Sequence, residues 1–338
     1  PCISVAEAYD PVIVGNSIIG NGCSAISVSN NYWSGPTSCV FMNNVLADND
    51  GSGLSADSFY DFMLIMDCVI TDHASSGVNI GHGIIANTCI VGNHSAPWGG
   101  GVCIENMSVA SVVNCTIVGN SAGFWGGGGI MVCPESHITM RNCVFTQNHS
   151  PRGSQVFLAV RAFADIDGCQ VRGGFPDIFQ DEGSTVIYGP GNISADPLFV
   201  DPGRWDDAGT PGDASDDVFI PGDYHLLPGS PCIDAGTTDV DDSATPEIET
   251  LPDTDLAGLP RIIDGNLDGT ALPDIGAYEY LPGDVNNDGK VNVVDLILIR
   301  NSLGRDPASF FPARRADLNR DGRVDMSDLL IARSRGGK

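Results

Sequence analysis

One seven-residue pattern recurs through the first half of this chain, and it limits the possible folds more than any other feature. "NTCIVGN" at 87–93 returns as "NCTIVGN" at 114–120 and "NCVFTQN" at 142–148. Weaker copies are "GNSIIGN" from Gly15, "NNVLADN" from Asn43, "DCVITDH" from Asp67 and "GCQVRGG" from Gly168. Successive starts lie 28, 24, 20, 27, 28 and 26 residues apart. Several copies are followed by small turn residues and a second apolar stretch, such as "SGVNI" from Ser76 or "GGGGIMV" from Gly126. A unit of two or three short strands broken by Gly, Asn and Ser has no core of its own, so the units must stack. Unequal steps fit a coil whose turns bulge while its strands stay in register.

Stacking gives each place of the motif a task. Ile70, Ile90, Ile117 and Phe145 share the fourth place and point inward. Asn21, Asn49, Asn93, Asn120 and Asn148 share the seventh, where amides form a ladder at a corner. Cys68, Thr88, Cys115, Cys143 and Cys169 share the second, a tight inward column. Neighbouring turns sit about 4.8 Å apart, whereas disulfide Cβ atoms prefer about 3.8 Å. Cys115 and Cys143 therefore read as buried thiols. The pattern resembles the repeats of right-handed parallel β-helices in bacterial surface proteins, over about residues 10–195. That resemblance implies a mainly β solenoid and carries no particular activity. Residues 1–195 are assigned to it.

After Asn192 the composition changes. "SADPLFVDP" and "DYHLLPGSPCIDAG" are rich in Pro and Asp and resemble the closing segments that follow such coils. An open coil leaves unpaired strand edges, so residues 196–280 are expected to form an irregular cap over its end.

The C-terminal stretch, 281–338, carries two copies of an acidic loop. Asp284, Asn286, Asp288, Asn292 and Asp295 place oxygens at loop positions 1, 3, 5, 9 and 12, with Gly289 at 6. Asp317, Asn319, Asp321, Asp325 and Asp328 repeat this around Gly322. Calcium needs six to eight oxygens and a sharp turn at position 6. Position 7 offers only its carbonyl, so Lys290 and Arg323 are tolerated there. Two ions are expected. Pro282 and Gly283 exclude an entering helix, while "LILI" and "LLI" after each loop start an exiting one. Loop–helix, linker, loop–helix resembles the type I dockerin, a calcium-folded extracellular module that plugs into a cohesin. The resemblance implies recognition at loop positions 10, 11 and 17: Val293, Val294 and Arg300, then Met326, Ser327 and Arg333. A third half-loop, Asp264, Asn266, Asp268 and Gly269, lies in the cap region. Its position 12 is Ile275, with Asp274 as the candidate substitute, so a third calcium ion is a weaker expectation.

Charge and cysteine usage bound the function. The first 140 residues hold no Lys or Arg. The last 58 carry ten basic and eight acidic residues, a formal +2, which leaves −29 on the rest of a chain of net charge −27. Such a field repels nucleic acid. No run reaches the length of a membrane helix. Eleven cysteines, an odd number without a CxxC, argue against a zinc site. The calcium loops suit a secreted or cell-surface protein, and a chain opening at Pro1 inside the repeat reads as a processed or truncated product of a secreted precursor.

Catalysis is the weaker expectation. Lyases acting on acidic glycans need cations, and the coil has only Arg141, Arg152, Arg161 and Arg172. Asp48 and Asp72 share the sixth place of adjacent motifs and are the weak candidates for a glycosidase pair. Trp98 and Trp125 stand at equivalent places; packing at a corner is preferred over a glycan platform. His94 and His149, without a third ligand, read as surface residues. The first functional reading is an extracellular scaffold that assembles through its dockerin-like module, with a cohesin or with another copy of itself as a head-to-tail filament. The alternatives are a carbohydrate-active enzyme, either hydrolase or lyase, and a glycan-binding module.

Overall fold

The structure is a computed structural model, which describes residues 1–6, 10–29, 38–56, 62–95, 98–210, 217–240 and 251–336. Its described residues form a parallel β-solenoid with three long sheets and a short two-stranded one, His94–Ser95 with Ser121–Ala122. Sheet A has eight strands, from Ile3–Ala6 to Ile178–Gln180; sheet B has eight, from Val12–Val14 to Thr185–Tyr188. Sheet C has seven, from Ser17–Ile19 to Gln170–Val171, one for each motif copy. Strands of consecutive turns pair in parallel and in register, so Ile90 faces Ile117 and Ile117 faces Phe145.

The motif is legible in the backbone. Its first and sixth residues bracket each sheet C strand and adopt left-handed conformations, with φ from 46° at Asn87 to 79° at Gly173. Gly, Asn and Asp tolerate that region best, which explains their recurrence at those places. Between the bends, the fourth place is buried in every turn: Ile18, Leu46, Ile70, Ile90, Ile117, Phe145 and Val171 join one continuous core.

Two polar columns run beside that core. In the second place Thr88 Oγ1 donates to the carbonyl two residues back at 2.7 Å. The thiols of Cys68, Cys115 and Cys143 do the same at 3.2 Å, and Cys169 at 3.4 Å. In the seventh place Asn21 Nδ2 donates to Asn49 Oδ1 at 2.9 Å, Asn93 to Asn120 at 2.9 Å and Asn120 to Asn148 at 3.0 Å. His73 interrupts this amide ladder. Neither ring nitrogen makes a well-formed hydrogen bond; the main chain at Leu46 and Asn49 pulls its pKa up, but burial outweighs this and holds it down at about 4.

Residues 196–280 depart from the expected end cap. Their apolar side chains lie along the outer side of sheet C: Phe199, Phe219, Tyr224, Ile233 and Ile275 cluster with Cys89, Val91, Val118 and Val144. A strand in a solenoid turns alternate residues outward, and outward Val and Cys need cover as much as the coil's end does. Two antiparallel hairpins supply part of it, Phe199–Asp201 with Asp223–Leu226 and Arg204–Asp206 with Val218–Ile220. Polar clamps fix the segment. Arg261 donates to Glu279 Oε1 at 2.9 Å and to Asn87 Oδ1 at 2.8 Å, and Asn142 exchanges two hydrogen bonds with the main chain of Thr237.

The C-terminal module has three helices, α1 (Val293–Ser302), α2 (Phe311–Ala316) and α3 (Met326–Arg335). Val285, Ile299, Ala313, Ala316, Leu318, Val324 and Ala332 form its small core. The sequence reading had a linker where α2 stands. Pro312 in its first turn was the available signal.

Candidate calcium loops and partner face

The two loops share a geometry imposed by their own carboxylates. Asp284 Oδ2 accepts Gly289 N–H at 2.8 Å, and Asp317 Oδ2 accepts Gly322 N–H at 3.0 Å. Both glycines need left-handed backbone, with φ of 79° and 81°. Asp288 and Asp321 accept from Lys290 N–H and Arg323 N–H, which ties position 7 of each loop to position 5. Position 12 closes each loop. Asp295 Oδ1 accepts Val285 and Asn286 N–H while Oδ2 accepts Asn292 N–H. Asp328 repeats this with Leu318, Asn319 and Asp325. Those same aspartates complete capping boxes with Asn292 and Asp325, so each loop closes on the first turn of α1 or α3.

These residues fit a calcium ion. Asp317 Oδ1 is buried without a partner. Burial raises the carboxyls of Asp284 and Asp317; neighbouring carboxylates add to this, Asp295 and Asp288 at the first, Asp328 and Asp321 at the second. Converging anions and an orphaned oxygen call for a hard cation. Among the described residues no three His, Cys, Asp or Glu side chains form a metal-ligand group by themselves. The loops draw on amide and main-chain oxygens as well.

The expected partner residues all lie on the surface. Val293 and Met326 are 66% and 57% exposed, and Val294, Ser327, Arg300 and Arg333 are exposed as well. One turn further along each helix, Ile297 and Leu330 are also exposed, at 48% and 58%. The sequence reading missed both. Their equal offsets from Asp295 and Asp328 would have found them. Each helix therefore shows an outward apolar strip flanked by an arginine.

Residues 282–334 match the family model for the Dockerin type I domain, and residues 32–194 match that for the Right handed beta helix region. The C-terminal module is a type I dockerin. No curated protein and no solved structure gives a match to the chain. Dockerin type I domains bind calcium and cohesin domains and occur in extracellular cellulosome components. Among the described residues no helix is long and apolar enough to cross a membrane.

The dockerin rests against the flank of its own chain. Leu259 meets Gly289 of the first loop, and Arg320 lies over Gly229. Arg315 is largely buried, facing Asp223 of the flank and Asp284 and Asp295 of the first loop; burial lowers its pKa. Its Nη2 has no partner.

In the flank, Asp264, Asn266 and Asp268 fold like the first half of a dockerin loop, accepting from Gly269, Asp268 and Thr270 N–H. Asp274 does not serve this loop. It is fully buried, accepts Asp234 and Tyr280 N–H, and burial pushes its carboxyl up to about 8. Asp234, some 30 residues upstream, instead accepts Asn266 and Leu272 N–H, the bonds that position 12 makes in the dockerin.

Asp48 and Asp72 come together one turn apart, on the left-handed bends described above. They line a cleft of about 660 Å³ with His94, Ser121, Trp205 and Val218. Burial pushes the Asp72 carboxyl up to about 6, and the charge on Asp48 adds to the shift. Trp98 and Trp125 are 53% and 59% exposed, and Trp125 packs edge-on against Phe124, with ring centroids 4.9 Å apart. Arg152 lies over Phe124 and Trp125, at 4.3 and 5.1 Å from the ring centroids. The other coil arginines pair with carboxylates: Arg141 with Asp165, Arg161 with Glu135 and Arg172 with Asp196.

Proposed function

We propose that this chain is a secreted structural component of a dockerin-organised extracellular complex, held there through a cohesin. The observation that carries this reading is the dockerin's placement. Its first loop and Arg315 sit on the flank, while the strips Val293–Ile297 and Met326–Leu330 stay open to a partner. Two calcium ions, held by the residues of the two loops, order those strips. A third ion belongs to the flank loop, with Asp234 in the closing role. Contacts within the chain favour a dockerin docked on its own flank over a head-to-tail filament. Net charge argues against nucleic acid, and paired coil arginines argue against a polyuronate lyase. The test is binding to an immobilised type I cohesin. Calcium-dependent capture, lost in a Val293→Asp/Met326→Asp double variant, supports the reading. Capture that survives in excess chelator rejects it.

One observation favours a second reading. The cleft between sheet C and the strand pair Arg204–Asp206 and Val218–Ile220 holds two carboxylates, of which burial raises that of Asp72, and an aromatic wall, features of neutral-glycan sites. Exposed Trp98 and Trp125 offer a separate glycan-binding surface. Retardation in gels containing neutral polysaccharides, abolished by Asp72→Asn, supports the cleft. Equal retardation of the variant removes it.

A further inference from the structure

Eight of the eleven cysteines fall into two kinds by what their sulfurs face. The second-place column spends its thiols on backbone carbonyls, as described above. Two pairs differ. Cys2 Sγ lies 3.5 Å from Cys23 Sγ, and Cys103 Sγ lies 3.8 Å from Cys133 Sγ. Each pair joins adjacent turns and is offset from direct stacking by two residues, in opposite directions. Ile3 is in register with Ile26, which puts Cys2 opposite Ala25, two residues past Cys23. Cys103 is in register with Met131, two residues before Cys133. Cys23 and Cys133 both lie just outside their strands, next to bends, with left-handed Glu135 following the second. Those bends swing the diagonal thiols together, where straight strands would hold them apart.

We propose that Cys2–Cys23 and Cys103–Cys133 are oxidation sites that close as two disulfides, each stapling one turn of the coil to the next. The compartment in which this happens rests on the extracellular reading; the chemistry does not. The oxidant is a low-molecular-weight disulfide such as oxidised glutathione. One cysteine thiolate attacks it, forming a mixed disulfide and releasing one small thiol. The partner thiolate then attacks the protein sulfur of that mixed disulfide, and the second small thiol leaves. Two protein thiols lose two electrons and two protons, and one small disulfide becomes two thiols. Cys133 is the better first nucleophile of its pair, because its contact with Cys103 lowers its pKa. Cys68, by contrast, is pushed up to about 11 by burial. Cys2 is exposed and Cys23 half-buried, so that pair is open to exchange in the folded chain. Cys103 and Cys133 are buried and close during folding.

The full chain with calcium is equilibrated with oxidised glutathione, and a second sample is refolded from the reduced, denatured state in the same buffer. Both are alkylated, digested and mapped by mass spectrometry. Expected are a Cys2–Cys23 link in both samples and a Cys103–Cys133 link in the refolded one. There the thiols titrated in denaturant fall from eleven to seven, four being consumed. The oxidised chain melts at a higher temperature than the reduced one, and a Cys23→Ser/Cys133→Ser variant loses that difference. Eleven alkylated cysteines in both samples overturn the proposal, as do links through Cys115, Cys143 or Cys169. Each pair stands or falls by its own linked peptide.

Discussion

The Oδ1 of Asn93 accepts the main-chain N–H of His73 at 3.1 Å, while the imidazole stands where every neighbouring turn from Asn21 to Asn148 has an amide. The ladder keeps its main-chain contact at this turn and loses its side-chain one. An imidazole is too wide to repeat the amide's paired bonds, and its nitrogens end up dry.

Replacing His73 with Asn should therefore stabilise the coil and remove an acid-sensitive step. Burial holds this histidine at about 4, below its ordinary 6.5. The unfolded chain takes up a proton below pH 6.5 and the folded chain does not until about pH 4. Wild-type stability is thus full above pH 6.5 and falls as pH drops toward 4, by roughly 2–3 kcal/mol. Asp72, raised by burial, works in the opposite direction in this window, so the difference between wild type and variant is the quantity to follow. Urea unfolding at pH 7.5 and 4.5 measures it, and an advantage of His73→Asn that does not widen at the lower pH refutes the account.

Chelation should melt the dockerin and spare the solenoid. Asp295 and Asp328 each hold a loop and a helix start, and without calcium their carboxylates face Asp284 and Asp317 uncompensated. Helical circular dichroism should drop in excess EDTA while the β signal persists. A helical signal unchanged by EDTA contradicts this. Asp295→Ala should reproduce half of the loss in calcium.

Arg261→Met should cost about 3–5 kcal/mol, the penalty for leaving a buried partner charge uncompensated. Arg261 and Glu279 are both 1% or less exposed at the ion pair. Burial, then Asp274, push the Glu279 carboxyl up and Arg261 opposes them, so removing Arg261 takes away the charge that favours its ionised form. Adding Glu279→Gln should recover much of the loss. Chemical denaturation of the single and double variants decides this, and equal stabilities for the two would rule out the charge argument.

Gly119→Ala should loosen the flank. A Cβ there would lie 2.4 Å from the ring of Phe219, on a residue with φ of 63°. Gly15→Ala is the control, with φ of 68° and nothing within 4 Å. The backbone term, roughly 1–2 kcal/mol, is common to both. Only Gly119→Ala should speed proteolysis at the paired strands Arg204–Asp206 and Val218–Ile220. Equal cleavage in the two variants would show that Phe219 is not what holds the hairpin down.

The sequence alone determined the repeat and the loops, because both are local. A left-handed bend at each end of a short strand selects Gly, Asn and Asp at fixed places. A stacked corner selects Asn93, Asn120 and Asn148, and a calcium loop selects oxygens at fixed spacing from Asp284 and Asp317. Those constraints act within one turn and are written in one turn. The tertiary structure decided what depends on distant segments meeting. It laid Phe199, Phe219, Tyr224, Ile233 and Ile275 along sheet C, because Val91, Val118 and Val144 point outward and only a remote segment could cover them. It put Asp234 rather than Asp274 into the flank loop and seated Arg315 between dockerin and flank. It also turned the thiols of Cys103 and Cys133 toward each other. None of these follows from spacing, since each joins residues whose separation along the chain says nothing about their separation in space.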